Sequence, residues 1–414
     1  MNEAKQKFRL TSLERAWILY DVGNSAFVLL VATLIPIFFN ALAEGGGLSS
    51  VEYLAYWGYA ASAVTVITAV LSPILGTLAD TRNFKKPIFT FCVAVGVTGC
   101  CAMGMASTWL PFLLIFIFAK VGFSGSLVFY DSMLSDVTVP DRMDEVSSKG
   151  YAWGYIGSCV PFVVCLALVL GAGSIGISQM TALNLALFIT AAWWLVTTLP
   201  LLRQYQQVHF VEVQEHAIRQ SFARIGHTLR HLKEDRQVFW FLLAFFCYID
   251  GVYTIIDMAT AYGTALGLDT TGLLLALLVT QIVAFPSALV FGRLSGQYPS
   301  GTLIPVCIAA YAGIALFAFF LKHQWQFWVL AVVVGMFQGG IQALSRSHFA
   351  KIIPPEKSGE YFGLFDICGK GASFLGTMIV SVGSQLTGSA NVGVGSLIVL
   401  FVVGFVLFRV SDRK

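Results

Sequence analysis

Twelve apolar runs, each long enough to cross a bilayer, follow one another along the 414-residue chain. They fall at 15–39, 54–79, 87–106, 110–136, 149–171, 181–202, 237–262, 271–294, 302–321, 326–350, 358–384 and 391–409. A spanning helix needs about 20 apolar residues, and the hydrocarbon core offers no water to an open backbone, so only helices or a closed barrel can be built from such runs. The ~10-residue alternation of barrel strands is missing. The expected fold is therefore an all-α membrane protein with twelve transmembrane helices, segments 1 to 12. Composition agrees: 57% of residues are hydrophobic and 11% charged, against about 25% charged in a soluble domain. A surface made from this chain must face lipid.

The basic residues orient it. With the N-terminus inside, 21 of the 25 Lys and Arg lie in the termini and inner loops, Lys322 alone lies in an outer loop, and Lys120, Arg346 and Lys370 lie within segments. An excess of positive charge marks the cytoplasmic side, so both termini are expected there. Met1–Leu10 is polar and the first apolar run is too long for a signal-peptide core, so no cleavable signal peptide is expected. Short loops favour a bacterial cytoplasmic (inner) membrane.

One long connection, 204–236, divides the chain into 1–203 and 237–414, six segments each, a two-fold plan common among transporters. Within it Phe222, Ile225, Leu229 and Leu232 recur at helical spacing between Arg219, Arg224, Arg230 and Lys233, the pattern of a basic amphipathic helix at the membrane surface. His227 and His231 lie one turn apart there and are read as a solvated face, not a metal site. The eight cysteines sit in apolar segments and are read as small hydrophobes. No P-loop and no Ser-His-Asp constellation appears, so neither an enzyme nor a cofactor is expected. A nucleic-acid partner is likewise not expected.

The loop after segment 2 reads GTLADTRNFKK, from Gly76 through Asp80 and Arg82 to Lys85 and Lys86. Gly76 admits a close neighbour, and Asp80 suits a helix N-terminus. The corresponding loop after segment 8 keeps Gly292 and Arg293 but has Gly296 where Asp80 stands. This loop resembles the signature of the major facilitator superfamily, departing from it at Asn83-Phe84, where the usual glycine falls. Segment 1 (WILYDVGNSAF, Trp17–Phe27), segment 5 (SSKGYAWGYIGS, Ser147–Ser158) and segment 11 (YFGLFDICGKGASFLG, Tyr361–Gly376) resemble the vacuole-effluxer-like branch of that superfamily, whose fungal members are amino-acid effluxers. The resemblance implies two six-helix bundles, transport by alternating access, a loop that stabilises the outward-open state against helix 11, and segments 1, 4, 7 and 10 lining a central cavity.

Ionisable residues inside a bilayer are costly, about 2.5–3.5 kcal/mol each on insertion scales, and face a cavity or a partner. The candidates for a substrate or ion pathway are Asp21, Lys120, Asp131, Asp250, Asp257, Arg346, Asp366 and Lys370, with Asn24, Gln338 and Gln342 on the same helical stripes. Lys120 and Asp250 fall near the midplane on opposite halves, so Lys120 is expected to pair with Asp250 or Asp257. Asp21, Asp131, Arg346 and Asp366 lie nearer the inner side and are expected to form a gate. Asp366 and Lys370, one turn apart, are alternatively a fixed pair. Asp136 and Asp141 are read as solvated helix ends. Gly150, Gly154 and Gly157 on segment 5 are read as helix-packing positions.

Both signs of charge suit a zwitterion, so the expected function is a secondary transporter, a monomer among membrane lipids, for a small polar or zwitterionic solute. Asp250 and Asp257, whose shared face disfavours double ionisation, are the candidates for carrying a proton; sodium is the alternative ion. A lipid or lysolipid flippase on the same fold and a non-transporting receptor are the alternative functions.

Overall fold

A computed structural model describes residues 9–212, 230 and 232–412. Twelve long helices occur among them. In the first half these are α1 (Ser12–Ala32, resumed as Leu34–Gly45), α2 (Ser50–Ala79), α3 (Lys85–Met103), α4 (Trp109–Ser132), α5 (Pro140–Leu170) and α6 (Gln179–Gln204). In the second they are α7 (Arg236–Ala265), α8 (Thr270–Leu294), α9 (Ser300–Ala318), α10 (Gln324–Ile352), α11 (Ser358–Thr387) and α12 (Ile398–Ser411, preceded by Ala390–Gly395). Eleven spans are long and apolar enough to cross a membrane on the described residues. The remaining expected segment corresponds to α11, 30 residues and about 45 Å long. Residues 213–229 and 231, which include His227, His231 and most of the expected amphipathic helix, lie outside the described residues.

Local chemistry sets the helix ends. Thr11 and Glu14 form a reciprocal capping box at the start of α1, with the Glu14 amide donating to Thr11 Oγ1 at 3.1 Å and the Thr11 amide to Glu14 Oε2 at 2.7 Å. The break at Thr33 follows from Pro36, which has no N–H to give the carbonyl of Ala32 and whose ring crowds it. Phe91, Phe118, Val196 and Val402 stand exposed on α3, α4, α6 and α12, the side chains that meet lipid. Inside the first half, Trp17, Tyr20 and Tyr130 are fully buried, and Trp17 stacks on Tyr130 with centroids 4.3 Å apart.

The halves repeat one plan. In the first, α1 packs on α5 and α6, α2 on α4, and α3 on α4 and α6; in the second, α7 packs on α11 and α12, α8 on α10, and α9 on α10 and α12. Between halves, α2 runs along α11 and α5 along α8, the same contact exchanged by the pseudo-two-fold.

Several contacts gather the helix ends of both halves at one face, which we call the terminal face. There Ser12 meets Gln204, Arg142 meets Arg9 and Glu14, Lys85 meets Ser358, and Ser411 meets Gln237. Toward this face the two halves pack tightly. Residues Ser358 to Phe365 of α11 and Ala343 to Ala350 of α10 are buried on every side. Toward the distal face they separate. Along α2, exposed positions such as Tyr56, Tyr59, Ala61, Ser62, Thr65 and Ile67 occupy more than half the circumference, and Met378, Val382 and Leu386 of α11 are exposed as well.

Candidate functional site

Arg346 holds the centre of the inter-half contact. It is 2% exposed and reaches from α10 into the first half. Its Nη1 lies 3.0 Å from Asp131 Oδ1 on α4 and 3.7 Å from Asp21 Oδ2 on α1. Its Nε donates to Ser147 Oγ at 2.9 Å and its Nη2 to the Ser147 carbonyl at 3.0 Å. The guanidinium also lies 4.7 Å from the ring of Trp17 and 4.3 Å from that of Tyr151. One side chain thus joins α1, α4, α5 and α10, the reach a rigid planar fork provides. Gly150 makes this possible, because a Cβ there would stand 2.9 Å from Asp21 Oδ2 and 3.1 Å from Arg346 Nη2. Asn24 lies beside Asp21 and donates to the Tyr20 carbonyl at 3.0 Å.

The loop after α2 forms a second junction. Asp80, wholly buried, accepts from the Gly359 amide at 2.7 Å and the Glu360 amide at 2.8 Å. These are free N–H groups of the first turn of α11, where the helix dipole also favours an anion. Lys85, equally buried, lies 3.7 Å from Asp80 and 3.9 Å from Asp136 and donates to Ser358 Oγ at 2.8 Å. Gly76 and Gly359 touch backbone to backbone, and a Cβ on either would collide with the other's carbonyl. Asn83, at the position of the family's usual glycine, has φ of 64°. Asparagine tolerates this left-handed conformation, so the turn survives the departure. Asn83→Val should cost about 1–2 kcal/mol and Asn83→Gly should be neutral, a difference read as midpoints in thermal unfolding.

The five loop residues divide into two groups. Asp80, Lys85 and Gly76 face α11, whereas Arg82 and Lys86 hold the chain that leaves α6. Lys86 donates to the Tyr205 carbonyl at 3.3 Å, Arg82 lies 3.6 Å from Glu212, and the Val211 amide donates to the Asp80 carbonyl at 2.8 Å.

Asp136 requires a correction. It is 9% exposed, not a solvated helix end. Its carboxylate accepts from the Tyr205 hydroxyl at 2.5 Å and the His209 amide at 2.9 Å, which ties the start of the linker to Lys85. The chain doubles back after α6, and nothing in the local pattern announces that. Asp141 is exposed, as expected.

Of the two expected partners of Lys120, Asp250 has its described contacts on α7 and α11. It is wholly buried, and both oxygens lie 2.9 Å from the Gly376 amide of α11, with the Thr254 hydroxyl donating at 3.3 Å. Asp257, two turns on, is exposed, and the charge of Lys120 acts on it. Lys120 itself is half-buried over the rings of Phe27 and Phe123. Asp366 accepts from Ser72 Oγ at 2.7 Å, another α2–α11 contact. The side chain of Lys370, and with it the proposed Asp366–Lys370 pair, lies outside the described residues. Gln342 accepts from the Tyr155 hydroxyl at 3.1 Å, and Gln338 is buried.

Three further contacts were not anticipated. Arg142 grips Glu14 with two bonds of 2.9 and 2.6 Å, Lys351 lies 2.6 Å from Asp144, and Ser147 Oγ donates to the Ala343 carbonyl at 2.8 Å. None of the three has a local sequence signal; the T-x-x-E spacing of Thr11 and Glu14 announces the capping box but not Arg142, 128 residues on.

The family described as "Vacuole effluxer Atg22 like" matches residues 12–141 and 135–414. The chain belongs to this family. This effluxer-family chain is 43% identical over 404 residues to the uncharacterized MFS-type transporter YxiO of Bacillus subtilis, covering 96% of the one and 94% of the other. It is 25% identical over 315 residues to Autophagy-related protein 22 of Coccidioides immitis, covering 65% of this chain and 51% of that one, and so spans about half the length of that fungal relative. Its fold matches the human organic anion transporter MFSD10 (TM-score 0.72, 14% identity, 96% and 98% of the chains covered). It also matches the transporter FucP in its outward conformation (TM-score 0.72, 16% identity, 97% and 98% covered). The effluxer-family chain is therefore a multi-pass membrane transporter of the major facilitator fold. Its family and its structural neighbours are transporters, not enzymes.

Proposed function

We propose that this chain is a secondary transporter that moves a small polar or zwitterionic solute, an amino acid above all, out of the cell by alternating access, as a monomer whose halves 1–203 and 237–414 rock about the central space. In this reading the terminal face, where the basic residues gather, is cytoplasmic, and the membrane is the bacterial cytoplasmic membrane. The observation that carries it is the distribution of contacts. The bonds named above between the halves run from the terminal face to about mid-depth, while α2 and α11 part toward the distal face. That is the arrangement of a transporter open to the outside. Arg346 with Asp21 and Asp131, and Asp80 with the start of α11, are the inner gate. Lys120, Asp257, Asp366 and Gln342 meet the solute, whose carboxylate and ammonium match the two signs of charge. Asp257 is the preferred proton carrier, because it is open to the space and faces Lys120; a sodium ion is the alternative.

Counterflow in proteoliposomes tests this. Vesicles loaded with unlabelled amino acids should accumulate labelled substrate, and Lys120→Met should lower the rate at least tenfold. In separate vesicles that hold no internal amino acid, with sodium absent, an imposed pH gradient should drive uphill movement of labelled substrate and its collapse should abolish it. Equal counterflow by the Lys120→Met variant, or no counterflow with any amino acid, peptide or sugar, overturns the reading.

A further inference from the structure

Every acceptor and ring named around the Arg346 guanidinium belongs to the first half, and α10 supplies only the cation. Asp131 Oδ1 stands at 3.0 Å, Ser147 Oγ at 2.9 Å and the Ser147 carbonyl at 3.0 Å, with Asp21 Oδ2 farther off at 3.7 Å. The guanidinium carbon lies 4.3 Å from the ring centroid of Tyr151, 4.7 Å from that of Trp17 and 5.3 Å from that of Tyr130. These groups form a socket.

The socket suits a guanidinium better than other cations. Each of the three Arg346 nitrogens has its own acceptor. A planar fork matches acceptors spread in this way, whereas an ammonium is a compact point charge. Aromatic rings beside the site favour an organic cation.

The charges in the socket do not balance. Two carboxylates share it, and Arg346 is their one ion-pair partner among the described residues. If α10 withdraws as the inner face opens, both carboxylates stay behind on the first half. Buried carboxylates are costly without a cation. The Asp131 side chain is already 21% exposed, so the vacated socket has a way in.

We propose that the socket of Trp17, Asp21, Tyr130, Asp131, Ser147 and Tyr151 is a binding site for the guanidinium group of a solute entering from the terminal face, and that Arg346 is its tethered competitor. The proposal rests on the reading of Arg346 as the inner gate, but it does not require the solute to be an amino acid. A guanidinium in the socket keeps Arg346 out. A ligand that binds only the open form shifts the molecule toward that form, and the return of Arg346 closes the face once the ligand has left.

Ethylguanidinium and N-ethylurea, alike in shape and different by one charge, test this by ligand-observed NMR on the purified full chain. In Arg346→Ala the socket is free. Ethylguanidinium should bind there roughly tenfold more tightly than ethylurea, for the charge-assisted bonds it alone makes, and more tightly than ethylammonium. Adding Asp21→Asn and Asp131→Asn to that variant should bring ethylguanidinium and ethylurea to equality. In the wild type a tethered side chain competes at an effective concentration of about millimolar or above, so ethylguanidinium should bind about tenfold more weakly than to Arg346→Ala. Its binding there should speed the labelling of a cysteine placed at Ser148, which is buried where α5 packs on Gly292 of α8. That labelling decides the matter if Arg346→Ala does not fold. Equal binding of ethylguanidinium and either comparison probe to Arg346→Ala, a preference that survives loss of both carboxylates, or labelling that ethylguanidinium leaves unchanged overturns the proposal. A failure of amino-acid counterflow would count against the transport reading alone and leave these binding results standing.

Discussion

Arg346→Met should abolish counterflow and lower stability by about 3–5 kcal/mol, the usual loss when one partner of a buried ion pair is removed. Asp131 and Asp21 would remain at the junction, 21% and 9% exposed in their side chains, facing an apolar group. The Ser147 carbonyl and hydroxyl would lose their donors at the same time. The loss of function and the loss of stability are separable. In the triple variant Asp21→Asn, Asp131→Asn, Arg346→Met the stranded charges are gone, so most of the stability should return while transport stays absent. Thermal unfolding and counterflow on the same preparations distinguish the two. A single variant that transports within threefold of the wild type would show that Arg346 is not part of the gate.

Asp80→Asn should slow counterflow ten- to hundredfold and shift the molecule toward opening at the terminal face. The carboxylate now joins two charge-assisted hydrogen bonds to the first turn of α11 with the nearby charge of Lys85. Asparagine keeps an acceptor but removes the charge that both the helix dipole and Lys85 favour. It also leaves Lys85, which is fully buried, with Asp136 as its nearest remaining carboxylate at 3.9 Å. The shift is measurable as faster modification of a cysteine placed at Ser148, buried where α5 packs on Gly292 of α8, over the signal of the eight native cysteines. Unchanged labelling of that cysteine would argue that Asp80 braces the loop without biasing the gate. Gly359→Val should act in the same direction, since its side chain has no space against Gly76.

Different parts of this arrangement were legible in the sequence to different degrees, for physical reasons. The helices were legible because a lipid solvent imposes length and apolarity on every span. The Asp80 cradle was legible because the loop spacing carries both the small residue and the acid. Stripe geometry placed Asp21, Asp131 and Arg346 on inward faces, but helical periodicity reports which side of a helix is polar and not which helix stands opposite. Asp250 and Asp257 share a stripe on α7. They part company because one meets the Gly376 amide of α11 and the other meets open space. Asp136 was misread for a related reason. Its partners come from Tyr205 and His209, some seventy residues on, where the chain folds back across the terminal face.

The stack of Arg346, Trp17 and Tyr130 has a spectroscopic consequence. An indole whose face is held beside a cation has its excited state perturbed by that charge, and Trp17 Nε1 is at the same time fixed to the Tyr130 carbonyl at 2.9 Å. If the halves part at this point, the guanidinium leaves with α10 while the indole stays with α1. The emission of Trp17, isolated as the difference from a Trp17→Phe chain, would then follow the opening of the gate in real time, without any attached dye.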